Sequence, residues 1–168
     1  MRRLPTGEAA IGDKPPVQVN AKVDYALRAM AELANAEPNV PLKAEAISKA
    51  QGIPLKFLEN IMLELRHAGL VISQRGQVGG YRLGREATEI TLADIIRVVD
   101  GPLANVRGLS PERLEYTGPA EALREVWIAL RANMRAVLET TTLEDLRTAA
   151  LPAEVLALTE APDAWTRR

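Results

Sequence analysis

Residues 46–83 constrain the fold more than any other part of the chain, because short apolar helical patterns alternate there with glycine-rich turns. The pattern begins with a short helix predicted over residues 43–50. Its inner face is expected to carry three apolar side chains: Ala46, Ile47 and Ala50.

A tight turn, Gln51-Gly52-Ile53-Pro54, separates this helix from the next one. Gly52 can take the left-handed conformation that closes a helix, Ile53 can enter the core, and Pro54 suits the first position of a helix. The next helix is predicted over about 54–68, because its apolar side chains recur at helical spacing. Two helices joined in this way form a helix-turn-helix. The predicted buried face consists of Leu58, Ile61, Met62 and Leu65.

A glycine-rich hairpin is predicted directly after this helix. Gly69 ends the helix, and residues 70–75 have the apolar and β-branched character of a strand. Three glycines at the tip, residues 76–80, give the backbone unusual freedom, and residues 81–83 return as the partner strand. A phosphate-binding P-loop is excluded, because no Gly-Lys-Ser/Thr follows and the chain does not open a helix there.

Two helices with recognisable starts flank this unit. Asn20 is a candidate N-cap for a helix over about 21–35. Thr91 and Asp94 resemble a capping box for a later helix, which Gly101 and the proline after it stop. The first of these helices is expected to bury one stripe of side chains: Val23, Leu27, Met30 and Ala34.

A long helix is predicted over about 119–139, with an apolar stripe about five turns long. Such a stripe is longer than a small domain needs to cover itself, so we expect the helix to pack on its twin in a homodimer. The alternative is a helix folded back on its own domain. The expected dimerisation residues are Leu123, Val126, Trp127, Leu130, Met134, Val137 and Leu138.

The fold class predicted from these patterns is mainly α with a small β-hairpin wing: a winged helix-turn-helix domain followed by a long C-terminal dimerisation helix. The predicted divisions are a disordered leader (1–19), the winged helix-turn-helix domain (20–101), an irregular linker (102–118), the dimerisation helices (119–150) and a C-terminal tail (151–168).

Composition excludes several classes of function. The chain has no cysteine, which rules out disulfides, thiolate metal sites and a thiol nucleophile. Its single histidine, His67, argues against a zinc site, and no nucleophile and base occur at a spacing that suggests an enzyme. No apolar run approaches the roughly 20 residues of a membrane span, so the expected location is the cytoplasm.

Charge is divided unevenly along the chain. Residues 20–85 contain nine Lys/Arg and six Asp/Glu, whereas residues 86–168 contain nine Lys/Arg and fourteen Asp/Glu. A mildly basic part next to an acidic one suits a protein that presents one face to a polyanion.

Three motifs of the chain resemble the bacterial winged-helix regulators of the Rrf-two (Rrf2) family over about residues 19–150. They are the segment AKVDYALR at 21–28, Gly52-Ile53-Pro54 with Leu58-Glu59, and the hairpin motif Arg75-Gly76-x-x-Gly79-Gly80-Tyr81-x-Leu83. The resemblance implies a homodimeric transcription regulator, expected to be a repressor, that binds double-stranded DNA at a palindromic operator. A winged-helix module that binds proteins and no longer reads DNA is the alternative.

The resemblance also implies which residues meet DNA. Lys56 is expected to donate to guanine or phosphate, Glu59 to accept from cytosine, and Asn60 to contact base or backbone. Arg75 suits a narrow, electronegative minor groove, and the glycines around it let the backbone follow. Glu59 has an equal alternative as an exposed helical carboxylate. The remaining expected DNA-binding residues are Lys22, Tyr25, Arg28, Lys43, Pro54, Leu55, Gly76, Gln77, Gly79 and Gly80.

One departure from the family changes the expected cofactor. Cluster-binding members carry three cysteines in the stretch that corresponds to residues 100–118, and this chain has none. We therefore expect neither an iron–sulfur cluster nor another metal. Regulation is left to a small molecule, to a partner protein, or to no effector at all.

Overall fold

The computed structural model describes residues 19–166, so the predicted leader lies outside the described residues except for Val19. The described part is mainly helical with one two-stranded antiparallel hairpin, as predicted. None of its helices is long and apolar enough to cross a membrane. Its elements are α1 (Ala21–Asn35), α2 (Ala44–Gln51), α3 (Leu55–His67), β1 (Val71–Gln74), β2 (Gly80–Leu83), α4 (Leu92–Val99), α5 (Leu123–Leu138), α6 (Leu143–Thr148) and α7 (Ala153–Thr159).

Side-chain caps start three of the helices. Asn20 accepts a hydrogen bond of 2.9 Å from a backbone N–H in the first turn of α1, which confirms the predicted N-cap. Thr91 and Asp94 form the predicted capping box at the start of α4. Thr142 and Asp145 form the same arrangement at the start of α6. Each cap satisfies backbone N–H groups that the helix itself leaves unpaired.

The core lies where α1, α3 and α4 pack against one another. All four side chains predicted for the buried face of α3 are in it. Of the stripe predicted for α1, Leu27 alone is only half buried, and it still packs against the core. The helix also turns Ala26 and Leu33 towards the core, because it packs on several elements and buries a broader face than one stripe.

The prediction for α2 was partly wrong. Ile47 is buried, but Ala46 and Ala50 are exposed. The helix is eight residues long and packs against α1 and α3, so one large side chain is enough to anchor it.

The segment before α5, residues 102–122, is here called the strap. It contains short 3₁₀ turns at Pro111–Arg113 and Gly118–Ala120. The second turn takes up Pro119, so α5 begins at Leu123 and not at Pro119 as predicted. Pro111 and Leu114 are buried, which gives the strap an apolar attachment of its own.

Two polar contacts hold the strap on α5. Trp127 Nε1 donates to the hydroxyl oxygen of Tyr116 at 3.0 Å. Arg131 Nη2 lies 2.5 Å from Glu112 Oε1. This hydrogen-bonded guanidinium is the largest cause that lowers the pKa of Glu112 from 4.5 to about 2, and the glutamate's own backbone N–H adds to the effect.

The apolar stripe of α5 divides between two directions. Val126 is 53% exposed and Leu130 is 42% exposed, and Leu123 lies on the same side of the helix. Met134 and Leu138 instead pack against the core of their own domain. Trp127 and Val137 are half buried. The alternative of a helix folded back on its own domain describes Met134 and Leu138, whereas packing of the exposed part on a second copy stays a prediction.

The sequence groups α6 with the dimerisation helices, whereas the structure packs α6 on α1 and on the turn at Ala87–Glu89. Leu143 is fully buried there. The backbone of this region is joined to the start of α4 by hydrogen bonds from Leu92 N to Thr141 O (2.9 Å) and from Leu143 N to Ile90 O (3.0 Å). Residues after α6 were predicted to be a tail, and α7 lies within them.

Candidate nucleic-acid interface

The turn between α2 and α3 is fixed by its own hydrogen bonds. Gly52 has the predicted left-handed conformation, with φ at 62°. Ile53 N donates to Ser48 O at 3.0 Å, the Ser48 hydroxyl donates to Ile53 O at 2.6 Å, and the Ile53 side chain is buried. Pro54 is extended and stands just before the helix, so α3 begins at Leu55. These bonds set the direction in which α3 leaves the turn.

Arg28 of α1 reaches the same turn from the other side. Its Nη1 donates to the backbone carbonyl of Gln51 at 2.5 Å, and its Nη2 lies 2.9 Å from the carboxylate of Asp24. The guanidinium stacks over Tyr25 at 5.1 Å from the ring centroid, and its Nε is buried. The structure thus gives Arg28 contacts inside the fold, at a carbonyl that the end of α2 leaves unpaired.

Lys22 and Lys43 are two further residues expected to bind DNA, and their side chains have different surroundings. Lys22 Nζ lies 2.8 Å from Glu64 Oε2, so this side chain joins the start of α1 to α3. Lys43 precedes α2, is exposed, and has no side-chain partner within residues 19–166. Of the two, Lys43 has its charge available without breaking an ion pair.

The solvent face of α3 carries the expected base-reading residues. Lys56, Glu59 and Asn60 are all exposed, and their spacing puts them on one face of the helix. In the described part of the chain, none of the three makes a side-chain hydrogen bond or an ion pair. Leu55, next to them at the start of the helix, is half buried. The first two turns of α3 therefore present free donors and an acceptor to solvent.

Sequence reasoning missed Phe57, which the structure places in the first turn of α3. This residue is the only phenylalanine of the sequence, and its side chain is 59% exposed. The signal was present in the sequence, because Phe57 lies outside the i, i+3, i+4, i+7 positions that define the buried face.

The tip of the hairpin exposes Arg75, Gly76 and Gln77. Gly76 has φ at 107°, and Gly79 N donates to Gly76 O at 3.0 Å, which closes the turn. A Cβ atom on Gly79 would lie 2.5 Å from the Gln74 carbonyl oxygen, so this position admits no side chain without a backbone shift. The glycines thus allow a tight tip from which the Arg75 side chain extends.

The base of the hairpin is attached to the helix-turn-helix. Tyr81 and Leu42 exchange two backbone hydrogen bonds, 2.8 and 2.7 Å long, between β2 and the loop before α2. Gly80 makes this approach possible, because a Cβ atom there would lie 2.4 Å from the Leu42 carbonyl oxygen. Arg66, near the end of α3, donates to the Ser73 hydroxyl of β1 at 3.4 Å. The hairpin and α3 are therefore held in one unit.

The described residues do not fit an iron–sulfur cluster or another metal ion. The sequence has no thiolate ligand. No group of three or more His, Asp or Glu side chains within residues 19–166 is arranged to hold a metal. In the strap, Tyr116 and Glu112 make polar contacts with α5 in the region where cluster ligands would be expected.

A protein-family model matches residues 19–149 of the chain. The family model is Rrf2, described as iron-dependent transcriptional regulator. Rv1287 of Mycobacterium tuberculosis strain H37Rv is described as an HTH-type transcriptional regulator. It is 49% identical to this chain over 144 residues, which are 86% of this chain and 89% of that protein. The HTH-type transcriptional regulator CymR of Bacillus subtilis is 42% identical over 130 residues, which are 77% of this chain and 89% of CymR.

Solved structures give the same result. The structure of CymR, the global cysteine regulator of B. subtilis, superposes with a TM-score of 0.69 at 39% identity and covers 80% of this chain and 99% of CymR. The structure of IscR from T. potens has a TM-score of 0.66 at 33% identity and covers 80% of this chain and 88% of IscR.

Proposed function

The chain belongs to the Rrf2 family of helix-turn-helix transcriptional regulators, and from this premise we propose that it is a repressor that binds a palindromic operator as a homodimer, without an iron–sulfur cluster. The observation that carries the proposal is the face formed by Lys56, Glu59 and Asn60, whose polar groups have no internal partners within residues 19–166. In a helix-turn-helix protein, the second helix enters the major groove with its N-terminal residues against base edges.

Each of these groups has a chemically matched partner on DNA. The Lys56 ammonium group suits guanine O6 and N7 or a phosphate, and the Glu59 carboxylate accepts from the amino group of cytosine. Asn60 can donate and accept at adenine. Desolvating these side chains without such partners would cost free energy, so they favour sites with the matching bases and disfavour others.

Arg75 adds a contact outside the major groove. It stands at the tip of a hairpin whose base is joined to α2 and α3 by hydrogen bonds, so its distance from the reading helix is set by the fold. Narrow minor grooves have an enhanced negative potential that attracts arginine. Lys43 at the start of α2 and Gln77 at the tip are available for the phosphate backbone.

The homodimer is supported by the exposed side of α5. Three large apolar side chains, Leu123, Val126 and Leu130, lie on one face of this helix and are uncovered in the single chain. A twofold dimer built on this face would present two copies of α3 to DNA, and the protein symmetry would then require a palindromic operator.

The lack of thiolate ligands supports a repressor that works without a cluster. Its strap is held by Tyr116 and Glu112 on α5 instead of by a metal. A repressor of this kind would occupy its operator until a small molecule or a partner protein changed its affinity.

Selection of operators from a random duplex library, with the full chain as bait, tests the proposal. We expect a palindromic consensus whose half-sites lie about one helical turn apart. By fluorescence anisotropy at physiological salt, the consensus duplex should bind roughly 1,000-fold or more tightly than a scrambled duplex of the same composition. A reporter gene that carries the consensus within its promoter should be transcribed less when the protein is present.

Equal affinity for the consensus and the scrambled duplex would overturn sequence-specific binding. Weak binding of that kind, which falls steeply with salt, would favour the alternative of a winged-helix module that binds other proteins.

A further inference from the structure

Phe57 has an environment that neither the core nor the expected DNA contacts explain. It lies in the first turn of α3, directly after Lys56, and more than half of its side chain is exposed to solvent. An isolated surface aliphatic residue is common, but an exposed aromatic ring costs more because of its large apolar area. The first turn is also the part of α3 that the proposed function places against base edges.

The neighbours of Phe57 leave more than half of its side chain exposed. Leu58, the next residue, is fully buried, so the buried face of α3 begins beside Phe57 and does not enclose it. On the flank of α3 that carries Phe57, Glu64 lies two turns further along and is paired with Lys22 of α1. The ion pair neutralises both charges on this flank, and the ring remains as an apolar surface at the end nearest the turn.

We infer that Phe57 is a specificity-determining residue that recognises thymine through its C5-methyl group in the major groove. This inference rests on the proposed function. Thymine is the only base of B-DNA that presents a methyl group in the major groove, and apolar side chains such as phenylalanine are suited to contact it. Phe57 thus favours an A·T pair at the position it contacts, and Lys56, Glu59 and Asn60 read other base pairs.

The physical basis of this preference is removal of apolar area from water. Contact with the ring would cover the thymine methyl group and part of the ring together, and the free energy gained scales with the area buried. Cytosine at the same position would leave the ring facing a polar amino group, which loses hydration without gaining a partner.

A thymine-to-deoxyuridine exchange tests the inference, because it deletes only the methyl group. The selected operator is synthesised with thymine or with deoxyuridine in both half-sites, and binding of the full chain and of Phe57→Ala is measured to each. The full chain should bind the deoxyuridine operator roughly fourfold more weakly for each methyl group contacted. Phe57→Ala should bind the thymine operator about tenfold more weakly than the full chain and should bind both operators equally.

Val40→Ala provides the matched control, since Val40 is also an exposed apolar residue but lies in the turn after α1. This variant should retain the full preference for thymine. Unfolding in urea should show that Phe57→Ala is folded, because the exposed ring contributes little to the core.

Two results would overturn the inference: equal binding of both operators by the unmodified chain, or the same preference for thymine in Phe57→Ala as in the unmodified chain. Failure of the proposed function looks different. In that case the unmodified chain would not distinguish the selected operator from the scrambled duplex at all.

Discussion

Arg28 of α1 donates a hydrogen bond to the backbone carbonyl of Gln51, 23 residues later in the chain and at the last residue of α2. This contact joins the first helix to the turn that orients the reading helix. The ion pair between Arg28 and Asp24 holds the guanidinium in place for it. A side chain expected to contact DNA thus has a role in the geometry of the helix-turn-helix.

Replacing Arg28 by alanine should therefore reduce stability. The Gln51 carbonyl would lose a charged donor, a loss that we expect to lower the free energy of unfolding by about 1–2 kcal/mol after allowing for partial solvent exposure. Urea denaturation measures it. Lys49→Ala is the control, because Lys49 is exposed on α2 and has no side-chain partner within residues 19–166. Unchanged stability combined with a large loss of operator affinity would show instead that Arg28 acts on DNA.

Removing the guanidinium at the hairpin tip should weaken operator binding. We expect Arg75→Ala to lose roughly 1–3 kcal/mol of binding free energy and to lose selectivity at the positions next to the half-sites. Stability should be unaffected, because Arg75 is exposed at the tip. Fluorescence anisotropy on operator and scrambled duplexes measures the change.

The control for Arg75 is Arg107→Ala, which removes the same charge from an exposed position in the strap. Comparable losses in both variants would mean that the protein responds only to total charge, and the assignment of Arg75 to the minor groove would be wrong.

A charge on the exposed face of α5 should disrupt the dimer. In Val126→Asp, association would bury an unpaired carboxylate, whose desolvation disfavours the interface strongly. Sedimentation equilibrium should give a monomer, and affinity for a two-half-site operator should fall while affinity for a single half-site changes little. Ala132→Asp adds the same charge to an exposed position on another face of α5 and should leave the dimer intact. A dimeric Val126→Asp protein would contradict the interface.

The contact between Glu112 and Arg131 should make the attachment of the strap sensitive to acid. The pKa of Glu112 is lowered to about 2 in the folded protein from the ordinary 4.5. Its contribution to stability is therefore complete above about pH 4.5 and is lost as the pH falls towards about 2.

The free energy of unfolding of the unmodified chain should thus exceed that of Glu112→Gln by more at about pH 6 than at about pH 3. Arg131→Met, which removes the guanidinium, should behave like Glu112→Gln. Fluorescence of Trp127 in a Trp165→Phe background follows the strap directly, since Trp127 is hydrogen bonded to Tyr116. A stability difference that does not change between these two pH values would refute the role of the ion pair.

Local chemistry explains why much of the fold could be predicted from the sequence. Asn20 and the pair Thr91 and Asp94 cap their helices through bonds that span three residues, so the residues themselves are the signal. Gly52 adopts the conformation that few other residues tolerate. The buried face of α3 repeats at helical spacing and was predicted in full.

What could not be predicted depends on contacts between distant parts of the chain. The partner of Arg28 is a backbone carbonyl, which no residue type marks in the sequence. Ala46 is apolar but exposed, because a helix of eight residues at the edge needs only one anchor. The docking of α6 on α1 joins elements more than a hundred residues apart. In the candidate site, the polar residues were predicted from their chemistry, whereas Phe57 was missed because the prediction considered only polar and backbone groups of the exposed face, together with Leu55.

The backbone bonds that join Thr141 to Leu92 and Leu143 to Ile90 have a mechanical consequence for α5. The chain leaves the DNA-reading domain at the end of α4, runs through the strap and α5, and is fastened to that domain again at the start of α6. A segment attached at one end could change its direction freely, whereas a segment attached at both ends can rotate only about the line that joins its attachments. A dimer built on α5 would therefore hold its two copies of α3 at a fixed distance, matched to one separation of half-sites.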